Sequence, residues 1–441
     1  MANSVLPVQA FRYDPEVVGN LGDVLAPPYD VISPDDQQAL YARHPANVVR
    51  LILGRKLPTD TDADNRYTRS RDDLRAFLAG GAIRRDAQPA FYVYDQTFAL
   101  EDGRTVTRRG VVGRWRIQDE GGLLAHERTL DGPKADRFQL FRACKVVCSQ
   151  VFTFYSDPER RVDAILAQPG VLQPGTEFAC ADGVIHRLSL VTRPDAVLRI
   201  SEVLSGCTQF IADGHHRFET TKKYRTTRRE EVGHPTGEEP FNFASVYMAN
   251  TFQDGLVIQP IYRLLKDVPG FDPVAFLDTI ATECDVIPVG RDVREASRLL
   301  AQSGEFAPSF ALWLADGVWR IIRVRPQSQA AFARTCGLHP TVAALDVSWL
   351  HQHVFFDLLG ITREAQAAQT NLDYRHTIDD VANALTTNPG QYQAAILLNP
   401  VKVGQIQAVA AAGQQMPQKS TFFYPKIISG LVIHPLEDEV P

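Results

Sequence analysis

Residues 210–219 read Phe-Ile-Ala-Asp-Gly-His-His-Arg-Phe-Glu, and the fold around them follows from this order. The apolar run over 207–212 predicts a short buried strand, and Asp213-Gly214 breaks it. The spacing over 215–231 predicts a helix. The sequence therefore predicts a strand, a tight turn and a helix, with residues 213–217 at the junction.

The side chains at this junction suit the binding of anions. A helix N-terminus offers free N–H groups and the positive end of the helix dipole, and Gly214 lets a ligand approach the backbone closely. Arg217 carries a planar guanidinium group whose paired N–H donors match the oxygens of a phosphate. His215 and His216 can donate hydrogen bonds or transfer protons. Asp213 can bind Mg²⁺ or accept a proton. The plain alternative is an N-cap aspartate followed by a solvated first helical turn.

Elsewhere the patterns mix strands and helices without a regular βαβ rhythm, which indicates an α+β protein rather than a doubly wound sheet. Strands are expected over 48–53, 91–98, 109–117, 147–155, 187–191, 243–250 and 394–398, and 256–264 is a candidate partner of 243–250. Helices are expected over 34–44, 65–80, 273–302, 340–359 and 401–412, with Ser33 as an N-cap. Hairpins are expected around Glu101-Asp102-Gly103 and Asp316-Gly317.

The length of 441 residues predicts two or three domains. Because the pattern of expected strands and helices changes near residue 270, we expect a core α+β domain over 1–265. An additional α+β region over 266–441 is expected to pack on it.

Charge and cysteine content exclude several classes of protein. The net charge is −6, and the chain has no broad basic stripe. Proteins that bind DNA normally carry such a stripe, so we do not expect DNA as a partner. Six sparse cysteines without a Cys-x-x-Cys pair indicate reduced thiols rather than a disulfide scaffold or a zinc ribbon. No signal peptide or membrane span is visible, so we expect a cytoplasmic protein. The oligomeric state stays open, with a homodimer as one option.

The segment 126–137 also gathers residues that suit phosphate chemistry. A histidine beside the carboxylate of Glu127 suits general base work, and Lys134 and Arg137 suit the charge of phosphates. The alternative is a solvated loop with a turn at Gly132-Pro133 that leads into a helix.

Two segments near the ends of the chain are candidate substrate contacts. The first is the turn Pro27-Pro28-Tyr29-Asp30, which offers a carboxylate, together with Asn47 and Arg50. The second is 416–426, with Lys419 and Ser420 before an aromatic run. Their alternatives are a rigid N-terminal turn with a packing arginine, and an aromatic strand that packs on the core.

Six motifs across the chain resemble the bacterial and archaeal "domain of unknown function 1015" family. They are APPYDVIS (26–33), HPANVVRLILG (44–54), FYVYDQTF (91–98), HERTLDGPKADR (126–137), FIADGHHRFET (210–220) and MPQKSTFFYPKIISG (416–430). The chain departs from the expected Pro-Thr-His-Arg of the family at Pro260-Ile261-Tyr262-Arg263, which puts any role of a histidine at position 262 in doubt.

The Asp-Gly-His-His-Arg turn is also similar to the phosphate-binding turn of the ParB–sulfiredoxin superfamily, which includes partitioning CTPases, sulfiredoxin and free serine kinases. This resemblance implies a ParB/sulfiredoxin-like core with phosphate contacts at Gly214, His215, His216 and Arg217. It places Asp213 near a metal or the reacting hydroxyl.

From the residues and the resemblance together we expect a nucleotide-dependent phosphotransferase that acts on a small hydroxyl compound, with free L-serine as the leading acceptor. ATP or ADP would be the donor, Mg²⁺ would bridge the phosphates, and Glu127 or Asp30 would orient the acceptor. Two alternatives stay open. One is a ParB-like nucleotide switch or nucleic-acid-associated CTPase, and the other is a metal-dependent phosphohydrolase or nuclease.

Overall fold

The computed structural model describes residues 4–100, 102–119, 121–129, 131–304 and 307–441, and these form a mixed α+β protein. The strands are β1 (Val5–Leu6), β2 (Phe11–Tyr13), β3 (Ile83–Arg85), β4 (Phe91–Ala99), β5 (Thr105–Arg116), β6 (Val146–Val147), β7 (Val151–Tyr155), β8 (Thr176–Ala179), β9 (Ile185–Val191), β10 (Phe210–Asp213), β11 (Phe243–Asn250), β12 (Val257–Gln259), β13 (Tyr262–Leu265), β14 (Cys284–Gly290), β15 (Ser309–Leu314), β16 (Trp319–Val324), β17 (Leu372–Arg375), β18 (Ala394–Leu398), β19 (Phe422–Tyr424) and β20 (His434–Pro435).

The α-helices are α1 (Pro15–Val18), α2 (Leu21–Val24), α3 (Pro34–Arg43), α4 (Val49–Ile52), α5 (Arg66–Ala79), α6 (Asp131–Cys144), α7 (Arg161–Leu166), α8 (Pro194–Ser205), α9 (His215–Val232), α10 (Pro273–Glu283), α11 (Val293–Ser303), α12 (Pro326–Thr335), α13 (Pro340–Ala343), α14 (Asp346–Ser348), α15 (Arg363–Ala368), α16 (Ile378–Thr387) and α17 (Val403–Ala411). Single 3₁₀ turns lie at Tyr29–Val31 and Pro240–Asn242, and a π-helix covers Trp349–Leu358. None of the helices in the described ranges is long and apolar enough to cross a membrane.

The chain divides into two compact units, and each contains more than one segment. Unit 1 comprises Met1–Leu124, Thr129–Val257 and Pro425–Pro441. Unit 2 comprises Ala125–Arg128 and Ile258–Tyr424. The division of the sequence at residue 265 stays a prediction.

Unit 1 is built on one large sheet with the strand order β10-β7-β11-β5-β4-β9-β8, and β1 joins at β5. β11 pairs with β7 in parallel and with β5 in antiparallel orientation. Because both edges of β11 are occupied, the suggested pairing of 256–264 with this strand is wrong. β13 pairs with β17 and β18 instead.

Unit 2 contains a sheet with the order β14-β16-β15-β18-β13-β17. Its core is apolar and includes Leu264, Leu300, Ala311, Trp319 and Val381. The helix expected over 273–302 is interrupted by β14, which contains Pro288. Proline has no N–H for a helical hydrogen bond and its ring clashes with the preceding turn, so a helix cannot run through this position undisturbed.

Several local predictions in unit 1 are confirmed. Ser33 caps α3 in a capping box with Asp36, and β4 and β5 pair as the expected hairpin, although Glu101 in its turn lies outside the described residues.

The strand expected over 147–155 is two separate strands, β6 and β7. The strand expected over 48–53 is wrong, because residues 49–52 form α4. A short apolar run fits a buried helical turn as well as a strand, and Asn47 starts the turn by accepting the N–H of Val49 at 2.9 Å.

Residues 210–232 form the predicted strand, tight turn and helix. β10 ends at Asp213, Gly214 has a φ of 91°, and α9 begins at His215. Helix α9 is then fixed by Tyr224, which packs among Phe141, Phe241 and the C-terminal Leu436. This packing anchors the middle of α9 in unit 1.

Candidate functional site

The turn between β10 and α9 brings a carboxylate and a guanidinium together inside unit 1. Gly214 adopts the left-handed backbone conformation that glycine tolerates best. A Cβ atom at this position would lie 3.0 Å from the guanidinium of Arg217. The glycine therefore makes room for Arg217 as well as allowing the turn.

Asp213 is held by two cations. Arg217 Nη2 donates to Asp213 Oδ2 at 2.5 Å, and Lys426 Nζ donates to Asp213 Oδ1. Burial alone would raise the pKa of Asp213, but Lys426 and Arg217 outweigh burial and hold this pKa well below its usual range. Asp213 is therefore an ionised carboxylate at neutral pH.

Arg217 is 4% exposed and points into the protein. Its second terminal nitrogen, Nη1, donates to the backbone carbonyl of Gln150. Both ends of the guanidinium fork thus have protein partners. The proposed contact with a phosphate would have to share this guanidinium with Asp213 and Gln150.

The two histidines of the turn differ in their surroundings. His215 is buried, and burial lowers its pKa to about 3, so the ring is neutral at pH 7. His216 is only half-buried, and its backbone carbonyl accepts the hydroxyl of Thr220 at 2.7 Å. Of the two, His216 has the more accessible ring on the first turn of α9.

A second cation of unit 1 lines the same pocket as Arg217. The pocket has a volume of about 20 Å³ and is lined by both Arg137 and Arg217 together with Tyr29. The guanidinium carbon of Arg137 lies 4.0 Å from the centre of the Tyr29 ring. A cavity of roughly 10–15 Å³ holds one water molecule, so this pocket has room for little more than that.

Tyr29 connects these groups with Asp30. Burial raises the pKa of Tyr29, Asp30 raises it further, and Arg137 and Arg217 lower it. The three charged residues therefore lie close enough to Tyr29 to influence its pKa. Asp30 itself is exposed, in the 3₁₀ turn Tyr29–Val31.

Positive charge exceeds negative charge in this part of unit 1. Arg137 Nε donates to Asp136 at 2.8 Å, and Arg66 pairs with the same carboxylate. Together with the turn and Asp30, this part of unit 1 has four cations and three carboxylates. The cations are Arg66, Arg137, Arg217 and Lys426, and the carboxylates are Asp30, Asp136 and Asp213. Such a surplus next to a helix N-terminus favours an anionic ligand.

The remaining candidates of unit 1 have mainly structural contacts. Asn47 is fully buried and bonds the carbonyls of Asp23 and Leu25, and Arg50 lies over the ring of Tyr41. Lys134 pairs with Asp131 at 2.9 Å within α6. Gly132-Pro133, expected to form a turn, lies in the first turn of this helix.

The other predicted residues belong to unit 2. Glu127 accepts the hydroxyl of Thr421 at 3.2 Å, and His126 Nε2 is 3.2 Å from the same oxygen. Lys419 is exposed, and the hydroxyl of Ser420 donates to the carbonyl of Pro417 at 2.5 Å. The segment 126–137 is thus split between the two units, and Leu130 within it lies outside the described residues.

The donor atoms of Asp213 do not fit a magnesium ion in this arrangement, because both carboxylate oxygens are bonded to cations. Among the residues that the structure describes, no group of three or more histidine, cysteine, aspartate or glutamate side chains could hold a metal. We therefore derive no chemical step through a metal on Asp213.

Sequence reasoning missed two partners of the turn, Lys426 and Gln150. Lys426 stands 213 positions from Asp213 along the chain, so no local pattern joins them. The signal for Lys426 was its place in the motif 416–430, whereas Gln150 lies in none of the six motifs.

Comparison with solved structures gives matches of low similarity. A free serine kinase mutant in complex with ADP has 10% identity and a TM-score of 0.33, over 68% of this chain and 83% of that chain. A conserved hypothetical protein from Pyrococcus furiosus has 14% identity and a TM-score of 0.31, over 70% and 90%. SbnI with a C-terminal truncation, from Staphylococcus aureus, has 11% identity and a TM-score of 0.31, over 71% and 84%.

No curated protein matches the chain. A family profile matches residues 5–348, which is more than half of the sequence. The chain therefore belongs to the family described as "Protein of unknown function (DUF1015)".

Proposed function

We propose that unit 1 binds the phosphate groups of a nucleotide at the turn Asp213–Arg217 and transfers a phosphoryl group to the hydroxyl of a small molecule. The observation that carries this proposal is the surplus of buried positive charge at the N-terminus of α9. Phosphoryl transfer needs positioning and neutralisation of charge more than covalent chemistry by the protein. A cluster of cations around one ionised carboxylate suits that requirement.

Lys426 is the residue best placed to respond to a nucleotide. Its ammonium can turn from Asp213 to a phosphate oxygen, while Arg217 keeps the aspartate paired. The N–H groups at the first turn of α9 and the half-buried ring of His216 would add donors to the same phosphates. Arg137, in the pocket beside Arg217, would extend the positive surface.

In the proposed reaction the acceptor hydroxyl oxygen forms a bond to the terminal phosphorus of ATP or ADP. The bond from that phosphorus to the bridging oxygen breaks, and ADP or AMP leaves with the electron pair. The hydroxyl proton passes to a carboxylate, for which Asp30 is the candidate within unit 1. The role expected for Glu127, which belongs to unit 2, stays a prediction. Free L-serine is the first acceptor to test, because the Asp-Gly-His-His-Arg turn is similar to that of free serine kinases.

The finer assignments belong to the same proposal. We take unit 1 as a ParB/sulfiredoxin-like phosphate-binding core and the cytoplasm as its location. Contacts of Asn47, Arg50, Lys134, Lys419 and Ser420 with substrate or phosphate, and a requirement for Mg²⁺, are further parts to be tested.

The first test measures the melting temperature of the full chain with ATP, ADP and CTP, each with and without Mg²⁺. A ligand that binds only the folded protein raises the melting temperature. We expect a rise with ATP or ADP, and formation of phosphoserine when L-serine is added. No rise with any of the three nucleotides would overturn the proposal.

The matched variants are Lys426→Gln and Lys223→Gln. Lys223 is an exposed cation on α9 that packs over Phe138, 4.8 Å from the ring centre. Loss of a group that stabilises transferring charge costs about 10²–10³ in rate, which is the expected effect of Lys426→Gln. Lys223→Gln should retain the wild-type rate.

The products distinguish the alternatives. Phosphate release without an acceptor would favour a phosphohydrolase and replace the kinase proposal. Nucleotide binding without any turnover would favour a nucleotide switch.

A further inference from the structure

Unit 2 contains a buried arginine that lacks a counter-charge. Arg263, on β13, is 1% exposed. Its terminal nitrogens donate to the carbonyls of Ile261 and Lys419, the latter at 2.7 Å, and one of them lies 3.3 Å from a ring nitrogen of His351. All of these partners are neutral groups, since burial lowers the pKa of His351 to about 3.

Within the described parts of the chain, no aspartate or glutamate forms an ion pair with Arg263, and its Nε has no hydrogen-bond partner. Burial lowers the pKa of Arg263 to about 10, while Tyr374 opposes this shift, so the guanidinium still carries its charge at neutral pH. A buried charge is normally paired, because the loss of its hydration is costly. The missing negative charge therefore suggests a ligand.

Arg263 lines a pocket that lies entirely within unit 2. The pocket has a cavity volume of about 60 Å³, and its polar lining includes Arg263, Asp346, Asn399, Lys402 and Ser420. Since one water needs roughly 10–15 Å³, this volume has room for a small polyatomic ion or several waters. The cavity is therefore large enough for the group that Arg263 lacks.

The N-terminus of α17 forms another wall of the same pocket. Pro400, Val401 and Lys402 precede the helix and line the cavity, as does Gln405 of its first turn. The first N–H groups of a helix have no partner within the helix, and the helix dipole adds partial positive charge there. Lys402 is exposed and adds a full positive charge at the mouth.

We propose that this pocket, between Arg263, Lys402 and the N-terminus of α17, binds a small oxyanion, namely the phosphate or carboxylate group of a metabolite. Arg263 would contact the oxyanion through its Nε, and Lys402 would supply a charge from the solvent side. Asp346 gives the wall one carboxylate, which would meet a hydroxyl or ammonium group of the same ligand. All residues that line this pocket belong to unit 2, and the inference does not depend on the proposed kinase activity.

The test uses the full chain in the Lys426→Gln background, which weakens the proposed phosphate site of unit 1. Binding of inorganic phosphate and of acetate is measured by titration calorimetry, and the two probes distinguish a phosphate from a carboxylate ligand. We expect millimolar or tighter binding of at least one probe. Lys402→Ala should weaken it about tenfold, as expected for the loss of a hydrogen bond to a charged group.

Two further variants make the result specific to the pocket. Asp346→Asn removes a negative charge from the wall, so phosphate should bind several-fold more tightly. Arg334→Ala removes an exposed cation that is not among the lining residues of the pocket, and it should leave binding unchanged.

A crystal soaked with tungstate then locates the anion. Density beside Arg263 is the expected result. The inference is overturned if neither probe binds, if Lys402→Ala binds like the parent, or if tungstate occupies other positions only.

Discussion

Arg217 and Arg263 are both buried arginines, but their guanidinium groups have different partners. Arg217 in unit 1 bonds an ionised carboxylate, Asp213, which a second cation also contacts. Arg263 in unit 2 bonds only neutral groups. The difference shows that burial alone does not define an anion site. Arg217 already has a partner that supports the fold, whereas Arg263 still needs one.

The largest expected effect is that of Arg217→Ala on stability. Breaking a buried ion pair by removing one partner costs about 3–5 kcal/mol in free energy of unfolding. Because Lys426 still contacts Asp213 in the variant, we expect the lower end of this range. The variant would also leave the carbonyl of Gln150 without its donor. Urea denaturation at pH 7 measures the loss.

This expectation changes the interpretation of any activity lost in Arg217→Ala. Its place on the first turn of a helix alone predicts that Arg217→Ala keeps its fold, but the buried contacts of Arg217 imply a destabilised variant. Arg217→Lys keeps the charge and should recover part of the stability. A loss below about 1 kcal/mol in Arg217→Ala, as for a surface residue, would contradict the description of the turn.

The next effect concerns Asp213→Asn and its dependence on pH. The pKa of Asp213 is lower in the folded than in the unfolded chain, so its stabilising effect is complete above the unfolded value of about 3.9 and is lost as the pH falls through the folded value. We expect wild type to exceed Asp213→Asn by about 2–3 kcal/mol at pH 7.

Chemical denaturation of both proteins at a series of pH values measures this difference. It should stay constant between pH 8 and 5 and shrink at more acidic pH, below about 4. A difference that grows as the pH falls would show that the two cations do not stabilise the carboxylate form.

A smaller effect is expected from Gly214→Ala. An alanine in the left-handed region costs about 1–2 kcal/mol, and the new Cβ would also press on the Arg217 guanidinium at 3.0 Å. Thermal unfolding of Gly214→Ala measures the loss. A loss below about 1 kcal/mol would show that neither the positive φ nor the contact with Arg217 matters for stability.

The smallest effect is expected from Arg263→Met in the absence of ligand. The change removes hydrogen bonds but also a buried charge without a counter-charge, and replacing buried charges by apolar side chains is often neutral or stabilising. We expect a change within about 1 kcal/mol in urea denaturation. A loss as large as that of Arg217→Ala would remove the distinction between the two arginines.

The sequence predicted the strand, turn and helix at 210–232 because each step there is local. An apolar run, a glycine that accepts a positive φ and a helical spacing follow one another directly. It failed at residues 49–52, where three apolar residues and Arg50 are too few to show a period. There the contacts of Asn47 with distant carbonyls decide the structure.

The chemistry of the site was less predictable because charge pairing depends on distant residues. Arg217 and Asp213 are four positions apart and could have been joined on the helical spacing. The bond of Asp213 with Lys426 could not be predicted in this way. Nor could the sequence show that, among the described residues, Arg263 forms no ion pair with a carboxylate. These features arise only when the sheets place remote segments side by side.

The bond between Asp213 and Lys426 also has a consequence for biosynthesis. Unit 1 receives its last segment, Pro425–Pro441, only after unit 2 has been translated. A ribosome that adds residues in order therefore releases Asp213 and Arg217 long before Lys426, with 213 positions between the aspartate and the lysine. Contacts of such long separation form slowly. The nascent chain therefore carries an incomplete site until Lys426 has left the ribosome, and partly folded chains with exposed apolar surface are the ones that chaperones bind.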